Sequence, residues 1–102
     1  IEVGSIKEAI ELLKKYILIF RTDSNLYKLI AKAYSLDSKQ LLQYESLAEA
    51  FYYKYNLIEA IAQMDMAVRA KDGNFYEKSR VEARLKQLQR EKEFYEISKE
   101  NL

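Results

Sequence analysis

The sequence predicts an all-α protein, a stack of about five antiparallel helices closed by a long last one. Three observations predict it. Apolar residues recur at spacings of three and four, in segments separated by polar turn signals. Pro is absent and Gly occurs only at Gly4 and Gly73, too few turn formers for a sheet-rich fold. From Leu47 to Val68, small residues (Ala48, Ala60, Ala67) stand among large ones (Leu47, Phe51, Leu57, Ile61, Met64). Such spacing lets two helices approach closely while bulky neighbours fill the flanks.

The first helix opens at Gly4-Ser5, with Ser5 as cap and Glu8 three residues later in capping-box spacing. Its stripe is Ile6, Ala9/Ile10, Leu13 and Ile17, widened by Leu12, Tyr16 and Phe20, and it ends near Arg21–Thr22. Asp23 or Ser24 caps a second helix with Leu26, Tyr27, Ile30, Ala31 and Tyr34 inward. Asp37-Ser38 breaks it and caps a third, which runs to about Lys54 with Leu41, Tyr44, Leu47, Ala48 and Phe51 on one face. The fourth runs from Leu57 to about Ala70. In Lys71-Asp72-Gly73-Asn74, Gly73 suits a helix C-terminus and Asn74 the next N-cap. A last helix from Phe75 to about Lys99 carries Val81, Leu85, Leu88 and Tyr95 as its stripe and a charged opposite face.

Composition narrows the function. The 17 basic and 16 acidic residues nearly cancel, so bulk charge favours neither nucleic acid nor an anionic membrane surface. On the last helix Arg80, Arg84, Lys86 and Arg90 are interrupted by Glu77, Glu82, Glu91 and Glu93, which argues against nucleic acid there too. There is no Cys and no His, which removes thiolate chemistry, the commonest metal ligand and the commonest neutral-pH base. No Gly-rich phosphate loop or nucleophile motif occurs. No apolar run approaches the about 18 residues of a membrane-spanning helix. The expectation is a segment without catalysis, cofactor or metal of its own, acting by binding protein. Ile1 stands inside a helical pattern, so we expect a piece of a longer protein.

An internal echo sharpens the fold. Gly4-x-Ile6-x-Glu8-Ala9-Ile10-x-x-Leu13 matches Tyr55-x-Leu57-x-Glu59-Ala60-Ile61-x-x-Met64, 51 positions on, and Ala31-x-x-Tyr34 matches Ala48-x-x-Phe51, 17 on. Seventeen is half the 34-residue period of the tetratricopeptide (TPR) repeat, and an odd multiple implies one inserted helix between the copies. Ala48, Phe51, Leu57, Ala60, Ile61, Met64 and Ala67 resemble one such repeat, with Tyr55 where most have Gly and Asp72 where many have Pro. The predicted organisation is a single TPR-like right-handed superhelix: an orphan B-type helix over 1–22, repeat helices over 23–70, and a turn and capping helix over 71–102.

A closer resemblance covers about Asp23 to Tyr95. Asp23-Ser24-Asn25, Leu29-Ile30-Ala31-x-Ala33, Ala48-Glu49-Ala50, Ala60-Ile61 and above all Arg80-x-Glu82-Ala83-Arg84-Leu85-x-Gln87-Leu88 resemble the C-terminal domain of BepA-like periplasmic metalloprotease–chaperones. The resemblance implies a periplasmic TPR domain that packs on an N-terminal zinc peptidase domain, marked there by His-Glu-x-x-His. It also implies engagement of outer-membrane proteins or their assembly machinery. Zinc is implied only for that other domain, because this segment has no His. The alternatives are a regulatory lid for its own protease domain, or a stand-alone adaptor unrelated to proteolysis.

The candidate groove takes Asn25, Lys28, Lys32 and Ser35 on one wall and Leu42, Glu45, Glu49 and Tyr52 on the other, two lysines facing two carboxylates around an extended peptide. Of the neighbours Tyr52 and Tyr53, which point about 100° apart on a helix, one is expected to be exposed or in the groove. Arg80, Glu82 and Arg84 form the structural motif, with Arg84 expected to reach Glu49 or Glu59 and lock the last helix. The apolar surplus of the first helix, Leu12, Ile19 and Phe20, is expected to meet an upstream helix or a second copy of the chain.

Overall fold

The computed structural model describes residues 3–100, so the assignments for residues 1–2 and 101–102 lie outside it. The described chain is an all-α, TPR-like stack: α1 Val3–Ile19, α2 Ser24–Leu36, α3 Gln40–Tyr52, α4 Leu57–Arg69 and α5 Phe75–Glu100. Each helix packs on the one before it in sequence, and α5 also reaches back to α3. With connections this short, successive helices run antiparallel. The helix skip inferred from the 51-residue echo therefore has no counterpart in the packing.

The helix ends show which local signals win. Helix α1 already runs at Val3, so Ser5 and Glu8 lie within it and the expected capping box does not form. One Gly costs a helix only about 1 kcal/mol, less than the packing of a turn supplies. Asp23 caps α2 as expected, its Oδ1 accepting from the backbone N–H of Asn25 at 3.0 Å and of Leu26 at 3.4 Å. Asp37-Ser38 ends α2 but does not cap α3. Instead Ser38 takes φ 57°, its N–H donates to Ser35 O, and Lys39 N–H donates to Tyr34 O. This is a Schellman closure. The same closure recurs 17 residues on, at Tyr55 with φ 63°, where Tyr55 N–H meets Tyr52 O and Asn56 N–H meets Phe51 O. The 17-residue half-period is thus a backbone feature as well as a side-chain pattern.

The N-cap of α3 comes from far away. The Asp72 carboxylate accepts from Gln40 N–H at 2.8 Å and Leu41 N–H at 2.9 Å. It is held there by the α4–α5 turn, in which Gly73 has φ 99°. A Cβ on Gly73 would lie 2.6 Å from Leu41 Cδ1, so a side chain at this position would force Leu41 or the turn to shift. Asn74 and Glu77 then close a reciprocal capping box at 2.8 and 3.0 Å.

Leu41, Ala48, Ala60, Met64, Ala67, Val81 and Leu88 form the main core between α3, α4 and α5. Ala48, Ala60 and Ala67 are wholly buried, the close approach their spacing predicts. A second cluster, Ile10, Ile30 and Tyr34, joins α1 to α2. The stripe of α5 stops short of expectation: Val81 and Leu88 are buried, but Tyr95 is 57% exposed. At 1.5 Å per residue the 26 residues of α5 span about 39 Å and the 13 of α4 about 20 Å, so α5 outruns its partner.

Tyr55 holds a left-handed conformation that β-carbon residues adopt at a cost, and its ring is 97% exposed. Tyr55→Gly should therefore raise stability by about 0.5–1 kcal/mol after the added unfolded-state entropy, and Ser38→Gly by a similar amount. Urea denaturation checks this; a lowered midpoint in both variants would mean that side-chain contacts, not strain, govern these turns.

Candidate functional site

Helices α3 and α5 are joined by a ladder of charged groups. On α3, Glu45 and Glu49 stand one turn apart; on α5, so do Arg80 and Arg84. Arg80 Nε and Nη2 donate to Glu45 Oε2 and Oε1 at 2.7 and 2.8 Å. Arg84 Nε and Nη2 donate to Glu49 Oε2 and Oε1 at 2.9 and 2.8 Å. Both forks span 35 positions, and a constant offset means that the two helices run parallel. They are therefore corresponding helices of successive repeats, about one 34-residue period apart.

A further rung lies one turn on. The Tyr52 hydroxyl donates to the Glu91 carboxylate at 3.1 Å, and the Arg84 guanidinium sits 4.7 Å from the centre of the Tyr52 ring. Arg84 Nη1 also donates to Gln87 Oε1 at 2.9 Å. The expectation that Arg84 locks the last helix through Glu49 or Glu59 is met by Glu49. The Arg84–Glu49 side chains are only 21% and 17% exposed, whereas Arg80 is 52% exposed beside an 18% exposed Glu45. The hydrogen bonds to Glu45 raise the Arg80 pKa against the pull of burial. For Arg84 burial pulls downward, and the Glu49 hydrogen bonds and charge more than offset it.

Two clefts open beside this ladder. The first, of about 560 Å³, has Ile17 and Leu18 of α1 on one wall, Tyr27, Ile30 and Tyr34 as floor, and Glu45 and Glu49 opposite. The second, also about 560 Å³, is lined by Tyr52, Tyr53, Tyr55, Leu57, Glu91 and Tyr95, with Thr22 at its edge. A lining residue of each is in contact with the other, Tyr27 stacking on Tyr53 with ring centres 5.5 Å apart. Tyr53 in turn meets Tyr52 edge-on at 5.1 Å. The neighbours do point apart, Tyr52 toward α5 and Tyr53 toward α2.

The six predicted groove residues fall on two faces. Glu45, Glu49 and Tyr52 lie on the inner face, with both carboxylates already engaged by arginines. Asn25, Lys28 and Lys32, with Ser35, instead border a separate outer cavity of about 590 Å³ with Gln43 and Leu47. The expected clamp of two lysines facing two carboxylates is not assembled. By pattern α2 and α3 read as equivalent helices; as antiparallel neighbours they turn corresponding positions to opposite sides. Of the motif residues, Arg80 and Arg84 build the ladder, while Glu82 is exposed and takes no part in it. Sequence reasoning missed Tyr27 and Tyr95 as cleft residues and Asp72 as a cap. Tyrosine density, with 9 in the chain, was the available signal for the first two. Among the described residues no group of three His, Cys, Asp or Glu could hold a metal ion. No described helix is long and apolar enough to cross a membrane.

Arg84→Met leaves Glu49 largely buried without its partner, and should cost about 2–3 kcal/mol, the usual penalty discounted for partial exposure. Arg80→Met, at the more exposed fork, should cost under about 1 kcal/mol. Urea denaturation of both variants checks the order; equal costs would contradict it. Alkali probes the tyrosines. Burial, then Tyr53 and Glu49, push the Tyr27 pKa from 10.0 up to about 12. Burial raises Tyr34 and Tyr52 too, helped by Glu45 and by the Glu91 hydrogen bond respectively. Between these values the unfolded chain loses the Tyr27 proton while the folded chain keeps it. This contribution to stability is full below about pH 10 and lost as pH rises toward about 12. The urea midpoint should fall over that window, and less steeply in Tyr27→Phe; identical slopes would contradict the assignment.

A comparison with models of protein families finds no match, and neither does one with curated proteins.

Proposed function

We propose that the chain is a protein-interaction module that receives an extended, apolar and aromatic segment of a partner polypeptide along its inner face. The observation that carries this reading is the pair of neighbouring clefts, lined between them by Tyr27, Tyr52, Tyr53, Tyr55 and Tyr95. Tyrosine offers a large, rigid surface with a polar tip and only two side-chain torsions to immobilise, which suits it to binding faces. Because Glu45 and Glu49 are neutralised within the fold, the face favours apolar contact and tyrosine hydroxyl hydrogen bonds over basic peptides.

The resemblance of Arg80-x-Glu82-Ala83-Arg84-Leu85-x-Gln87-Leu88 supports a more specific setting. On that reading the module is the C-terminal domain of a BepA-like periplasmic zinc metalloprotease. It rests against the protease domain and presents its inner face to unfolded outer-membrane proteins or their assembly machinery. Strands of such proteins alternate apolar and polar residues and carry aromatic girdles, a chemistry that the tyrosine clefts suit.

The test selects peptides of about twelve residues from a random display library against the whole chain. Selected peptides should be rich in apolar and aromatic residues. They should lose at least about tenfold in affinity to Tyr53→Ser, and keep it toward Lys28→Ala and Lys32→Ala on the outer face. Peptides that depend on the lysines, or a selection that yields no binder, would overturn the reading.

A further inference from the structure

Among the described residues α1 packs chiefly on α2, through Ile6, Ile10, Leu13 and Ile17. A second stripe runs along its outer side. Leu12 is 52% exposed, Tyr16 44% and Ile19 68%; Ser5 is exposed and Ala9 half-buried. These five residues follow the alternating four- and three-residue steps of a coiled-coil seam, Ser5-Ala9-Leu12-Tyr16-Ile19. Glu8 and Lys15 flank the seam on the same side, one heptad apart, and both are exposed. Neither takes part in an ion pair among the described residues.

The stripe is complementary to itself in one orientation. Turned antiparallel, a second α1 places its Tyr16 over Ser5 and its Leu12 over Ala9, so that a large side chain meets a small one at each of these layers. The same register brings Glu8 of each helix to Lys15 of the other. A parallel pairing does neither: it sets small against small and large against large, and leaves both charges unmatched. Shape and charge thus select the same arrangement, and it is a closed two-fold one. We infer that α1 is a homodimerisation helix, whose occupant is a second copy of this chain bound antiparallel through Leu12 and Tyr16 with two Glu8–Lys15 pairs. Two helices about 25 Å long meet over less than the about 1,200 Å² of a standard interface, so the dimer is a weak, reversible one.

Sedimentation equilibrium of the whole chain, from about 10 µM to about 1 mM, tests it. The chain should dimerise reversibly, and Leu12→Glu should weaken the dimer at least about tenfold. Glu8→Lys and Lys15→Glu should each weaken it by about tenfold, because each variant sets like charges against one another. An equimolar mixture of these two variants should recover the original affinity, since the mixed dimer restores both attractive pairs. Circular dichroism confirms that the variants, all at exposed positions, stay helical. A chain that is monomeric at about 1 mM overturns the inference. So does a dimer indifferent to Leu12→Glu, or one in which the mixture fails to recover.

Discussion

The inner face depends on where Arg84 sets α5 against α3. Apolar contact alone would hold the two helices together: Val81 and Leu88 are wholly buried, and each such side chain contributes about 1.5–3 kcal/mol. Apolar contact is tolerant of sliding, however, and a helix can settle one turn along with little loss. Bidentate forks are not tolerant, because a guanidinium matches a carboxylate in only a narrow range of positions. Two forks with the same 35-residue offset leave one register. Arg84 then adds the ring of Tyr52 and the amide of Gln87 to its fork with Glu49. One side chain thus bears on both the helix register and the orientation of Tyr52.

The opposite end of α3 is fixed by a different device. Its first N–H groups have no local acceptor, since Ser38 has gone to a left-handed closure of α2. Asp72 supplies both oxygens from beyond the end of α4. The hairpin α3–α4 is thereby closed at both ends, by the Tyr55 turn at one and the Asp72 cap at the other. The Tyr55 turn is the strained one. A ring 97% exposed on a left-handed residue contributes little to the fold. Strain of this kind gathers where a side chain serves something other than stability, and Tyr55 stands at the mouth of the tyrosine cleft.

The core was legible in the sequence because packing within a hairpin is local. Ala48, Ala60, Met64 and Ala67 follow from spacing alone, and all are wholly buried. The groove was not legible in the same way. Periodicity tells which residues share a side of one helix, but not which neighbour that side meets. Lys28 and Lys32 on α2 and Glu45 and Glu49 on α3 share a pattern, yet the antiparallel turn between the helices sends them to opposite faces. Asp72 was hidden because its contact spans 31 or 32 residues. Tyr95 was misplaced because its coverage depends on the length of α4, not on its own helix.

The two ends of the stack pose different physical problems. At one end α5 packs on α4 and leaves Glu82, Lys86 and Arg90 exposed. At the other end α1 keeps an apolar stripe in the open, with charges placed so that a second copy neutralises them. Leu18 and Lys14, which wall the inner cleft, stand on another side of α1 from Leu12 and Tyr16. Pairing through the outer stripe therefore leaves both clefts open. On the proposed function it also changes what each cleft is worth, because two inner faces on one particle would engage a long, repetitive segment as a single bivalent unit. A partner with recurring aromatic positions gains from that arrangement without any improvement in an individual contact.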